Sequence, residues 1–173
     1  NLTEVIKTPV HGISYLFRFT KNTFEGSRGV FNQLEVERQR GLYSKKTYDT
    51  YKENVIKVVE DFRKIVNDSK SEGYTLIGYG AAAKGMTFLN FADVKLDVII
   101  DDNELKQNLY TPGQNIPIKS NGFLNQLKSD DKILFIPLAW NFYDEIQERI
   151  LKTRDNKNDW FLRYFPEVKL ERR

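Results

Sequence analysis

Cysteine is absent from the 173 residues and histidine occurs once, at His11. There is accordingly no disulfide framework and no thiolate–imidazole set that could hold zinc, so no metal site is expected. Long hydrophobic runs are missing too. No stretch approaches the roughly 20 apolar residues that cross a bilayer, and the opening NLTEVIKTPV has neither the basic nor the apolar region of a secretory signal. A cytoplasmic location is expected. Charge of one sign is also scarce: the net charge is +3, with Lys and Arg interleaved with Asp and Glu, whereas nucleic-acid binders concentrate positive charge on one face. Neither nucleic acid nor a membrane is an expected partner. No G-x-S-x-G run supplies an acyl-transfer nucleophile.

What is present is the balance of a globular protein, with 40% hydrophobic and 29% charged residues, enough for a genuine core. The chain opens on Asn1 rather than methionine and within strand-like sequence, as expected of a fragment. Residues 10–20, VHGISYLFRFT, suit a strand that pairs with another. VFNQLEVERQRGL predicts a short helix ending at Gly41, with Arg38 and Arg40 in the last turn, where the helix dipole favours cations. Ser44 is placed to cap a long helix whose Tyr48, Tyr51, Val55, Val58, Phe62 and Ile65 form one apolar stripe, read as packing surface.

From Tyr74 the period changes. TLIGYG, LDVII and KILFIPLA are short buried runs alternating with the helical segments AAAKGMTFLNFA, NGFLNQLK and WNFYDEIQERILK. WFLRYF is a last apolar run. That alternation predicts a doubly wound α/β sheet of parallel strands with helices on both faces.

Gly78-Tyr79-Gly80-Ala81-Ala82-Ala83 matches G-x-G-x-x-A between a strand and a helix. There the glycines let the backbone turn and approach a ligand, while the helix end faces an anion. Lys84 would add positive charge; the alternative is that these small residues only permit tight strand–helix packing. Asp101 follows at the end of the second strand, where related sheets hold a ribose, or it belongs to ordinary turn chemistry. Pro112-Gly113 forces a turn before an extended segment at Pro117. Trp140 and Asn141, at the carboxyl end of the third strand, could stack on and hydrogen-bond a ring, or be a buried tryptophan and a helix cap. Asp144 and Glu145 lie one turn on and are read as facing solvent. His11 has a pKa range suited to proton transfer, but no neighbouring acid orients it.

Together GYGAAAKGMTFLNF, DDNELKQNLYTPGQNIPI and LAWNFYDEI resemble, in order and spacing, the C-terminal domain of the S-adenosylmethionine-dependent sugar C-methyltransferases. Pro9-Val10-His11-Gly12-Ile13-Ser14 is similar to a segment near the end of that family's methyltransferase domain. The resemblance implies a three-part enzyme of deoxysugar biosynthesis, with a zinc-binding N-terminal domain, a cofactor-binding middle domain and a Rossmann-like C-terminal domain closing over a nucleotide-linked keto-sugar. Residues 1–42 would be the end of the methyltransferase domain and connector, 43–72 a linking helix, and 73–173 the Rossmann-like domain.

S-adenosylmethionine would bind mainly to the absent part, so this chain alone would carry no cofactor and no methylation activity. The chain would pack against that part. Gly78, Tyr79, Gly80, Ala81, Lys84, Asp101, Pro112, Gly113, Trp140 and Asn141 become the candidate substrate residues. Ile13, Met86 and Asn108 depart from the family pattern. The competing readings are a stand-alone nucleotide-binding or structural module and an NAD(P)-binding oxidoreductase fragment.

Overall fold

The computed structural model describes residues 1–10, 13–22 and 27–172. His11 therefore lies outside the described residues. The chain divides into two compact units, Asn1–Val55 and Ile56–Arg173.

In the first unit the strand expected at residues 10–20 has its partner. β1 (Leu2–Thr8) and β2 (Ser14–Phe19) pair antiparallel, with Val5 opposite Phe17 and Ile6 opposite Leu16. α1 (Arg28–Gln39) is capped by Ser27, whose side chain accepts from the Val30 N–H at 3.4 Å. It ends before Gly41, which takes a φ of +72°, a conformation costly for residues with a Cβ. α2 (Lys45–Ser71) follows Ser44 and runs into the second unit.

The stripe expected along α2 is only partly buried. Val59, Phe62 and Val66 enter the core, Val55, Val58 and Ile65 are half-buried, and Tyr48 and Tyr51 are exposed. Buried residues in the carboxyl half recur at 59, 62 and 66, so the inward face is centred one position from the predicted line.

The second unit is the expected doubly wound sheet. β3 (Thr75–Tyr79), β4 (Val98–Ile100), β5 (Ile118–Lys119), β6 (Ile133–Pro137), β7 (Trp160–Arg163) and β8 (Lys169–Glu171) lie in the order β5-β4-β3-β6-β7-β8. All neighbours are parallel except β7 and β8. β8, an antiparallel edge, has too short and polar a sequence to stand out. Side chains alternate across the sheet as the period of two requires. Leu76, Leu134 and Ile136 join the core beneath α2 and α3 (Ala83–Ala92), whereas Ile77, Tyr79, Ile133 and Phe135 join the core beneath α4 (Tyr143–Thr153). The expected helix at 121–128 is a single 3-10 segment, Asn121–Gln126. Among the described residues no helix is long and apolar enough to cross a membrane.

Chain order reverses between β3 and β6: β4 and β5 build outward on one side, β6 and β7 on the other. Such a switch point leaves a crevice beyond the carboxyl ends of the strands, where open α/β sheets bind ligands.

Candidate functional site

The loop after β3 combines two different uses of glycine. A Cβ on Gly78 would lie 2.8 Å from Leu138 Cδ1 and 2.9 Å from Ile99 Cγ1, so its bareness serves packing inside the sheet. Gly80 instead takes a φ of +87°, which lets the chain turn out of the strand toward α3. Gly85 was not singled out in the sequence. A Cβ there would be 2.7 Å from Leu138 Cβ, and this close approach of α3 to the segment after β6 is what brings the two crevice-lining loops together.

Asp101 fastens the loop from the neighbouring strand. It is 6% exposed. Its Oδ2 accepts from the Ala81 N–H at 2.7 Å and from Lys106 Nζ at 3.0 Å, and its Oδ1 accepts from the Asn103 N–H at 2.8 Å. Lys106 also donates to the Ala81 carbonyl at 3.0 Å. Both carboxylate oxygens are thus engaged within the protein, at the position where dinucleotide-binding sheets hold a ribose.

Two candidates do meet. Lys84 Nζ stands 5.3 Å from the centre of the Trp140 ring, within the range of a cation–π contact. Trp140 in turn packs against Phe165, ring centres 4.4 Å apart. Trp140 packs on the α3 side of the sheet, and Lys84 lies in the first turn of α3. Asn141 follows in the 3-10 turn Trp140–Phe142 and is exposed. Pro112 and Gly113 lie further out: Asn90 of α3 donates to the Pro112 carbonyl at 3.2 Å, and a Cβ on Gly113 would lie 2.1 Å from Asn90 Oδ1. The turn is therefore tied to the flank of α3, with Pro112 and Ala81 bordering a shallow cavity of about 190 Å³.

On the α4 side of the same edge is a cavity of about 370 Å³. Tyr79, Gly80 and Asp101, all three predicted, border it. Asp102, Glu145 and Arg149 also line it and were not predicted as site residues; Glu145, read as facing solvent, is exposed and stands at the cavity rim. The Tyr79 hydroxyl donates to Asp102 Oδ1 at 3.0 Å, while Arg149 forms an ion pair with Asp102 Oδ2. Burial, more than the nearby carboxylate, holds the Tyr79 hydroxyl above its ordinary pKa, so it remains a donor at neutral pH. A signal for these residues did exist: Phe142, Glu145, Ile146 and Arg149 recur at three- and four-residue steps and so share one face of α4.

A larger cavity, about 840 Å³, lies at the opposite edge, ahead of β6 and β7. Its buried cation is already committed. Arg154 pairs with Asp159 and donates to the carbonyls of Lys128 and Asp131, which closes the chain segments around that edge.

Comparison with known proteins shows the family. Residues 9–166 match the family described as C-methyltransferase C-terminal domain. The chain is 30% identical over 120 residues to the C-methyltransferase NovU of Streptomyces niveus, a match covering 68% of this chain and 28% of that protein. It thus spans well under a third of the length of that relative.

Proposed function

We propose that this chain, which belongs to the C-methyltransferase C-terminal domain family, holds and orients a nucleotide-linked keto-sugar for a methyl transfer carried out by a part of the protein outside it. The observation that supports this most is the pairing of Lys84 with Trp140 at the switch-point crevice. A cation beside a helix amino terminus suits a diphosphate, and an aromatic face suits a sugar or base. Asn141 would add a hydrogen-bonding group, with Gly78, Gly80 and Ala81 shaping the loop beneath and the Pro112-Gly113 turn bounding it.

In the complete enzyme, a base outside this chain removes the proton next to the sugar ketone. S-adenosylmethionine, bound outside this chain, would supply the methyl group to that carbon. The methyl donor belongs to the partner domain, consistent with the engagement of Asp101. Here the contribution is positional, and fixing one reactant can lower a barrier by several kcal/mol. Exposed Tyr15, Leu16, Phe17 and Phe19 of β2 are apolar area suited to covering by that domain. Titration with dTDP- and GDP-linked sugars tests the reading, since a ligand bound only by the native state raises the unfolding temperature.

A further inference from the structure

Asn121 and Gly122 are the only asparagine–glycine pair in the chain. They stand just after β5, at the start of the 3-10 segment Asn121–Gln126, and neither borders the cavities described above. An asparagine followed by glycine has a reaction of its own: the backbone nitrogen of the glycine attacks the side-chain carbonyl carbon. Three conditions favour it. The nitrogen must be free of a hydrogen bond, the carboxamide must be free to turn, and no side chain on the second residue may block the approach.

All three hold at this pair. The bonding of the 3-10 segment starts at the Phe123 N–H, which donates to the Ser120 carbonyl at 3.0 Å. The Gly122 N–H is therefore one of the orphan donors of a helix start, and among the described residues it has no acceptor. The Asn121 Oδ1 is buried without a hydrogen-bond partner. A buried acceptor left unpaired is costly, so turning the carboxamide toward water relieves a cost instead of breaking a bond. Gly122 is exposed, and a Cβ built there would meet nothing nearer than Ser120 Oγ at 3.5 Å. Other asparagines differ. Asn90 donates to the Pro112 carbonyl, Asn103 accepts from the Leu105 N–H, and every asparagine except Asn121 precedes a residue with a Cβ.

We propose that Asn121 is a deamidation site of the folded chain. The Gly122 nitrogen bonds to Asn121 Cγ and gives up its proton. The Cγ–Nδ2 bond breaks, and ammonia leaves with that proton, closing a five-membered succinimide. Water then adds to one or other carbonyl of the ring and opens it, leaving aspartate or isoaspartate at position 121. Water is the only co-reactant, and nothing is oxidised or reduced. A 3-10 turn has poorer hydrogen-bond geometry than an α-helix, and a short segment of this kind opens locally at low cost, which gives access to the ring-closing conformation. Either product places a carboxylate where a neutral amide stood. Isoaspartate also lengthens the main chain by one carbon between β5, paired with β4 through Ile118 and Ile99, and the buried Leu124, so the modified chain holds this sheet edge less firmly.

Peptide mapping by mass spectrometry tests the proposal on the chain incubated at body temperature, folded and in urea, at neutral and mildly alkaline pH. Asn121 in the folded chain is expected to convert about tenfold or more faster than any other asparagine, and within about tenfold of its rate in urea. Both aspartate and isoaspartate should form, and the rate should rise with pH, because the attacking nitrogen must lose its proton. Gly122→Ala, which adds a methyl at ordinary contact distance, should keep the fold by circular dichroism and slow the conversion about tenfold or more. Conversion of Asn121 in urea but not in the folded chain would overturn the proposal, as would aspartate as the sole product or an unchanged rate in Gly122→Ala.

Discussion

Asp101 and Ala81 are joined across two strands, the carboxylate of one accepting from the backbone N–H of the other at 2.7 Å. The acidic residue that the sequence offered for a ribose or for turn chemistry thus shapes the loop. Replacing it by alanine leaves the Ala81 N–H and the Lys106 ammonium without that acceptor. Asp101→Ala is expected to lower stability by about 1–3 kcal/mol, measured by urea unfolding. A change below about 0.5 kcal/mol, the usual range at surface positions, would show that the bond contributes little.

Gly85→Ala should destabilise despite the higher helix propensity of alanine. The added methyl would meet Leu138 Cβ at 2.7 Å, and overpacking of this sort costs about 1–3 kcal/mol. Denaturant midpoints of the two proteins give the answer. An equally or more stable variant would mean that α3 shifts freely over the sheet, contrary to the close approach described.

The buried Arg154–Asp159 pair at the amino-terminal edge makes a separate prediction. Asp159→Ala leaves a guanidinium buried with only carbonyl partners, a loss of about 3–5 kcal/mol. Ligand binding at the opposite edge should be unchanged in whatever fraction remains folded, as read by calorimetry.

Three tyrosines connect structure to alkaline pH. Burial raises the pKa of Tyr79, Tyr143 and Tyr164, and carboxylates beside the first two add to it. A phenol that holds its proton more tightly when folded favours the native state below the unfolded pKa of about 10. That contribution is lost as pH rises toward the folded value. Stability should accordingly fall above about pH 10, and Tyr164→Phe should flatten the fall. An unchanged slope in the variant would contradict the assignment.

The parallel sheet was legible because its strands are uninterrupted apolar runs punctuated by glycine and aspartate, and the helices between them carry a different period. β8 was not, since three residues with two charges have no pattern to read. The site was legible in part for a related reason. Gly80 and Trp140 announce themselves by residue type, but Asp102 and Arg149 are common surface residues 47 positions apart, and only the crossover that lays α4 beside β4 brings them together. The split of the candidates between two faces of one sheet edge follows from the alternation of Gly78 and Tyr79, a period of two whose phase needs the sheet to be fixed.

The central claim is that the crevice holds a nucleotide-linked sugar. Calorimetric titration of the chain with dTDP- and GDP-linked sugars, S-adenosylmethionine and NADH tests it most directly. The predicted result is saturable binding of a nucleotide sugar, weakened about tenfold or more by Lys84→Ala or Trp140→Ala. Tight binding of NADH, or no nucleotide-sugar binding by the folded chain, would contradict it.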